Sequence, residues 1–305
     1  MARASLDLRC ESSPPGRTSG GISIIVPTRD GACYLEQLIP HLRHACRRSG
    51  AEVLFLDHRT KEPRALRLLE EVATFARVLP VTGDFNFSAM MNHGAAETSG
   101  PLILFLNNDV EPLDDLWLDH LAASIATGAS ACGSLLLYPD RRTVQHAGMA
   151  LGLGYGAGHL HRGCNVDSLP SVPGPLLPRE VSALSGACLL VRRRDFEAVG
   201  GFDERLALSF NDVDLCLRLQ SRGGSVLYEP ASRLVHHETV TRSPRLDPRE
   251  VEWFRRRWGR RLDDPFLSPA ICRFTESTDL DLWSDLRPSR RRAPWTRIAP
   301  DDGTG

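Results

Sequence analysis

The residues with chemical potential begin at Asn107-Asn108-Asp109, which follow the apolar run Leu102–Leu106 without a gap. An uninterrupted apolar run of this length predicts a strand buried on both faces. It delivers two amides and a carboxylate to the carboxyl edge of a sheet, where open α/β sheets bind ligands. A carboxylate there is a hard ligand for a cation shared between protein and phosphates. Helix N-capping is the other use of Asn and Asp at such a position. Asp57 ends a second run, Glu52-Val-Leu-Phe-Leu-Asp57, and the turn Pro27-Thr28-Arg29-Asp30-Gly31 closes a third, Gly21–Pro27. In a parallel sheet the three ends share one edge, so two carboxylates and a Pro-Thr turn converge on one crevice.

Other candidate groups lie further along. Gly152-Leu-Gly-Tyr-Gly-Ala157 matches G-x-G-x-x-A but lacks the preceding strand and following helix that a dinucleotide fingerprint needs. His159, His161 and Cys164 could suggest zinc, but no fourth ligand stands at matching spacing. Gly186 interrupts the apolar stretch Val181–Val191, marking either a bulge or a close approach of backbone to ligand. Asn211 and Asp212 stand at a predicted helix start, where either could cap. His236-His237-Glu238 follows the last predicted strand.

The elements that must position these groups alternate. Strands are predicted at 21–27, 52–57, 77–81 and 102–106. Between them helices are predicted over 34–48, 63–75 and 88–98, the last capped by Ser88. This alternation predicts a mostly parallel sheet with right-handed crossovers. A helix over 114–127 and a strand over 131–138 follow, then a Gly- and Pro-rich stretch, 148–178, of the kind that forms binding loops or lids. Val181–Val191 predicts a further strand, 211–222 a helix and 226–228 a last strand. Val251, Phe254, Trp258 and Leu262 recur at helical spacing among arginines, reading as a packing helix or as a basic surface for anionic lipid. Residues 1–20 read as a disordered leader and 276–305 as a poorly ordered tail.

Composition sets bounds on these readings. The chain has 305 residues, 42% of them hydrophobic, enough for one large α/β domain. A net charge of −1 gives no global field toward nucleic acid or a membrane. Lys61 is the single lysine, so the basic residues are almost all arginine. Eight scattered cysteines without a C-x-x-C pair read as buried thiols of a reduced, intracellular protein. Neither a signal peptide nor an apolar run long enough to span a bilayer is evident.

Taken together, Ile24-Ile-Val-Pro-Thr28, Phe55-Leu-Asp57, Phe85-Asn-Phe-Ser88 through Asn92 and Leu104–Asp109 resemble a family 2 glycosyltransferase. Ser185-Gly-Ala-Cys188, Gly200-Gly-Phe-Asp-Glu204, Asn211-Asp-Val-Asp214 and His236-His-Glu-Thr239 continue the resemblance over about residues 22–270. The nearest branch is the rhamnosyltransferase-like, cell-surface polysaccharide group. The resemblance implies a GT-A fold: an α/β, Rossmann-like, mostly parallel central sheet flanked by helices, with a smaller mixed acceptor-side sheet. It implies a nucleotide-sugar-binding half at 21–130, an acceptor-binding and catalytic half at 131–245 and a C-terminal helical extension at 246–275.

The implied activity is inverting transfer of a sugar from a nucleoside-diphosphate sugar to a hydroxyl of a glycan or lipid-linked acceptor. Pro27, Thr28, Arg29, Asp57, Asn92, Asn108 and Asp109 would bind the donor, with Asp57 on the base. Asp109 would ligate Mg²⁺ or Mn²⁺, with His236 as a further contact and His237 competing for that place. Asp212 or Asp214 would be the general base, and Ser185, Gly186 and Ala187 would face the acceptor. The 148–178 segment would shape acceptor entry. The enzyme would be cytoplasmic, and a lipid-linked acceptor would bring it to the inner face of the membrane, with 248–262 as the contact. Asn107 departs from an all-acid D-x-D, Asn211 replaces a usual acid, and His58-Arg59-Thr60 replaces a small polar turn. Those departures motivate a second reading, a degenerate binding protein without turnover. A sugar nucleotidyltransferase would want a Gly-rich basic loop after the first strand, and Pro27–Ala32 has one glycine.

Overall fold

All seven residues of β1 (Ile22–Thr28) are buried, as a strand covered on both faces requires. In the computed structural model, which describes residues 21–153, 155–166, 175–237, 247–259 and 263–267, β1 lies inside the sheet. The proposed leader, the tail, Glu238 and Leu262 lie outside the described residues.

The first half winds as its alternation predicts: α1 (Ala32–Ser49), β2 (Glu52–Asp57), α2 (Pro63–Val72), β3 (Arg77–Pro80), α3 (Phe87–Ala96) and β4 (Leu102–Leu106) follow β1 in order. The strands β3, β2, β1 and β4 pair in parallel, in that spatial order. The second half adds β5 (Val110–Pro112), α4 (Trp117–Ala126), β6 (Ala131–Leu137), β7 (Val144–His146), β8 (Met149–Leu151), β9 (Ala157–His159) and β10 (Arg179–Glu180). Then come β11 (Cys188–Arg192), α5 (Arg193–Ala198), α6 (Asn211–Ser221), β12 (Val226–His236) and α7 (Pro248–Trp258). Strand β11 runs antiparallel between β4 and β6, and β12 pairs parallel with β6. Among the described residues these strands extend the same sheet to ten strands, while β8 and β9 form a separate antiparallel hairpin. That hairpin is closed by Gly152 N–H donating to the Gly156 carbonyl, so the G-x-G-x-x-A match falls across a hairpin and not at a helix start.

Two apolar layers flank the sheet because side chains alternate along each strand. Ile24, Val26, Phe55, Leu104 and Leu106 pack with Leu35, Leu38 and Leu42 of α1. Ile25, Leu54, Leu56, Ile103 and Phe105 pack with Met90 and Met91 of α3 and Val213 of α6. A Cβ at Gly94 would fall 2.6 Å from Ile25 Cγ2, so α3 lies on β1 at a distance that only glycine permits.

Several boundaries shift from expectation. Helix α3 starts at Phe87 and is capped by Asn86, whose extended backbone lets its side chain accept from Ala89 N–H at 3.0 Å. Ser88 instead donates to the Leu206 carbonyl. Helix α4 begins only at Trp117, because Asp114 accepts from Leu116 N–H in the preceding turn. The stretch 181–191 becomes a strand only from Cys188 onward. The last strand is longer than 226–228 suggests, running to His236 across a register shift between Glu229 and Arg233.

Candidate active site

Parallel pairing sets Thr28 opposite Asp57 at the carboxyl edge, with Asn108 and Asp109 just beyond β4. Asn108 Nδ2 donates to Thr28 Oγ1 at 3.1 Å, tying the two strand ends. Asp57 Oδ1 accepts from Thr60 N–H at 3.0 Å and closes its own turn. Asp30 latches the β1 and β2 loops: its Oδ1 accepts from Lys61 N–H at 2.6 Å and Glu62 N–H at 2.8 Å. The Lys61 hydrogen bond is the leading reason its carboxyl lies below the usual carboxylate range. Glu62 returns the contact by accepting from Ala32 N–H at the start of α1. Arg29 is exposed beside this latch. The unusual His58 is buried under the next loop, with Nε2 donating to the Gly83 carbonyl at 3.1 Å and its ring edge-on to Phe85.

A second corner forms where β12 ends. Pairing of β5 with β12 places His236 opposite Val110, one residue past Asp109. His236 Nε2 stands 3.3 Å from Asp109 Oδ1 and 3.4 Å from Asn107 Nδ2. Its Nδ1 stands 2.7 Å from Gln145 Oε1. His237 turns elsewhere, to Glu111 Oε2 at 3.3 Å and against the Tyr34 ring. An imidazole nitrogen and a carboxylate oxygen this close can bind one divalent cation, so the residues present fit a metal. Among the described residues no cluster of three or more His, Cys, Asp or Glu side chains could hold an ion alone. That donor set suits a cation completed by phosphate oxygens.

The third part is a cavity of about 140 Å³ lined by Asn107, Ser185, Gly186, Ala187, Asp212 and His236, among others. Asp212 Oδ2 accepts from Gly186 N–H at 2.9 Å and Oδ1 from Val213 N–H at 2.8 Å. Burial pushes its carboxyl up from the usual range, against those hydrogen bonds. A Cβ at Gly186 would meet Asp212 Cβ at 3.6 Å, an ordinary contact, so the N–H rather than the missing side chain serves Asp212. Ser185 N–H donates to His146 Nε2, and burial holds His146 neutral by driving its pKa well below the ordinary value. His159 pairs with His146 at 2.8 Å rather than with His161 or Cys164.

The loop before α6 is braced from behind. Glu250 of α7 accepts from Leu208 N–H at 3.0 Å and Ser209 N–H at 2.8 Å. Phe210, at φ +60° just before α6, stacks on Phe254 at 4.5 Å between ring centroids. Glu250, Phe254 and Trp258 are buried, so the inner face of α7 packs against the domain.

Residues 23–200 match the family model described as Glycosyl transferase family 2. The chain belongs to that family. Its fold is GT-A: it superposes on GalNAc-T7 solved with UDP, GalNAc and Mn²⁺, with a TM-score of 0.60 and 16% identity over 76% of this chain and 47% of that one. It also superposes on the mannosyltransferase PcManGT from Pyrobaculum calidifontis, solved with GDP-Man and Mn²⁺, with a TM-score of 0.52 and 14% identity over 76% and 61%. In sequence it is 35% identical over 272 residues to the O-antigen biosynthesis protein RfbC of Myxococcus xanthus, covering 84% of this chain and 21% of that protein. It is 28% identical over 249 residues to an N-acetylglucosaminyl-diphospho-decaprenol L-rhamnosyltransferase of Mycobacterium tuberculosis, covering 71% and 76%. The chain therefore spans about a fifth of the Myxococcus relative.

Within this family 2 chain, two expected site residues take other places. Asp214 is fully buried, with Arg218 Nε at 2.7 Å and Trp258 Nε1 at 2.8 Å. On the helix it points away from Asp212, two residues before, and stays out of the cavity. Asn92 clasps the Gly201–Glu204 turn, donating to the Phe202 carbonyl and Glu204 Oε1 and accepting from Phe202 N–H. It lines a different hollow, with Asp203 and Arg205, not the crevice. Sequence reasoning missed Gln145, Asp30 as a latch and Glu250. Asp30 carried one signal, an Asp-Gly pair after a strand; Gln145 and Glu250 carried none.

Proposed function

We propose that this family 2 chain is an inverting, metal-dependent glycosyltransferase that moves a sugar from a nucleoside-diphosphate sugar to an acceptor hydroxyl. The observation that carries the reading is one cavity lined by both Asp212 and His236, the latter beside Asp109. Thr28, Asn108 and Asp57 shape the nucleotide end of the crevice, and Asp109 and His236 would hold Mg²⁺ or Mn²⁺. The cation, when bound, neutralises charge on the departing nucleoside diphosphate. Asp212 takes the proton from the attacking hydroxyl, and its raised pKa strengthens it as a base. Keeping the metal carboxylate and the base on separate elements avoids two like charges in one place. Gly186 N–H and Val213 N–H orient Asp212 toward the acceptor.

The envelope-biosynthesis names of the relatives support a cell-surface polysaccharide role and a glycan or lipid-linked acceptor. No helix among the described residues is long and apolar enough to cross a membrane. If the acceptor is lipid-linked, the exposed arginines Arg249 and Arg256 of α7 offer a surface for anionic headgroups. A screen of nucleoside-diphosphate sugars with Mn²⁺, read as nucleoside diphosphate release with and without acceptor, tests the activity. Release with one donor that needs both metal and acceptor is expected. Tight donor binding without release across an acceptor panel would favour the degenerate reading instead.

A further inference from the structure

Gln145 sits in β7, a strand of three residues, and is 4% exposed. Its amide holds His236 at two points. Gln145 Nε2 donates to the His236 backbone carbonyl at 3.3 Å, and Gln145 Oε1 faces His236 Nδ1 at 2.7 Å. The two contacts remove the usual ambiguity of an amide. A carbonyl oxygen only accepts, so the NH₂ group must face it, and the amide oxygen must then face the ring. An amide oxygen also only accepts, so Nδ1 must carry the proton. In the neutral ring Nε2 then keeps its lone pair, 3.4 Å from Asn107 Nδ2 and 3.3 Å from Asp109 Oδ1. Asn107 can donate to that lone pair through Nδ2.

We propose that Gln145 is a positioning residue that locks His236 as the Nδ1-protonated tautomer and aims Nε2 into the donor site. This rests on the metal-dependent reading of that site. Without Gln145, an imidazole can place its proton on Nε2 and donate to Asp109, which closes the nitrogen to a cation. The amide therefore sets which chemistry the corner can do: an open nitrogen beside a carboxylate, ready for a divalent ion, rather than a hydrogen-bonded pair. An outer hydrogen bond of this kind fixes tautomer and ring orientation of metal-binding histidines.

The test reads the tautomer first, with no metal or donor present. In the full chain labelled with ¹⁵N-histidine, with His236 assigned by loss of its signals in His236→Ala, long-range ¹⁵N–¹H spectra should show the Nδ1–H form. Gln145→Met keeps the side-chain volume and should shift His236 toward the Nε2–H form. Gln145→Glu supplies an acceptor again and should restore Nδ1–H. Mn²⁺ alone, titrated by electron paramagnetic resonance, should bind Gln145→Met about 10–100-fold more weakly than wild type. An Nε2–H form in the wild type, or wild-type tautomer and Mn²⁺ affinity in Gln145→Met, would overturn the proposal. Wild-type Mn²⁺ affinity in His236→Ala would instead strike the metal reading, while the metal-free tautomer still decides for or against Gln145.

Discussion

The proposed donor edge and the proposed acceptor pocket of this molecule are built by different means. At the donor edge, Thr28, Asp57, Asn108 and Asp109 are placed by parallel register and by turns that the same short segments close, as Asp57 does with Thr60. At the acceptor pocket, Asp212 is placed by a loop and a helix held through contacts remote in sequence, such as Gly186 N–H and the Glu250 clamp on Leu208 and Ser209. Strand register and ties between strand ends build the first, and clamps on a loop and a helix start build the second. The donor edge should therefore survive damage that disables the acceptor side.

Changes at the metal corner should have the largest effects. Replacing His236 with Ala should weaken Mn²⁺-dependent donor binding by about 10²-fold while leaving metal-free nucleotide binding near wild type; titration calorimetry with and without Mn²⁺ reads both. Next is Glu250→Ala, which removes the buried carboxylate that the Leu208 and Ser209 N–H groups donate to. It should cost about 1.5–3 kcal/mol of stability by denaturant unfolding and raise the acceptor KM several-fold, with donor affinity within twofold. Equal losses at both substrates would break the contrast between the regions. Asn92→Ala should be milder, about 1–2 kcal/mol, with donor affinity unchanged, since the side chain serves the Phe202 turn. A donor defect without a stability loss would return Asn92 to the crevice.

The same contrast explains what the sequence could disclose. Leu102–Leu106 and its polar end were legible because burial on both faces leaves an unbroken apolar run, and parallel strands put their ends at one edge. Asp212 was legible only as one of two acids; both start α6, and separating them needs Trp258 and Arg218, which bury Asp214. Gln145 lies 91 positions from the histidine it holds, and nothing in a three-residue strand announces such a partner. The α7 arginines drew notice as a lipid surface because charge is visible in sequence, whereas the buried Glu250 on the same helix resembles any solvated acid.

A consequence for stability concerns Asp212 itself. Its folded pKa is raised, so the folded chain binds its proton more tightly than the unfolded chain. Its favourable contribution is present at low pH and fades as pH rises through that raised value, so the ionised base costs stability at neutral pH. Asp212→Asn removes that pH dependence but turns an NH₂ toward one of the two N–H groups that Asp212 accepts from, so its Tm relative to wild type should rise from acid to neutral pH.

The central claim is that one carboxylate serves the donor and another the proton. Donor affinity with Mn²⁺ and transfer rate, measured side by side in Asp109→Ala and Asp212→Asn, test it most directly. Asp212→Asn should bind donor as wild type does and transfer at least about 10²-fold more slowly, while Asp109→Ala should lose Mn²⁺-dependent donor binding itself. Wild-type transfer by Asp212→Asn, or undiminished Mn²⁺-dependent donor affinity in Asp109→Ala, would contradict it.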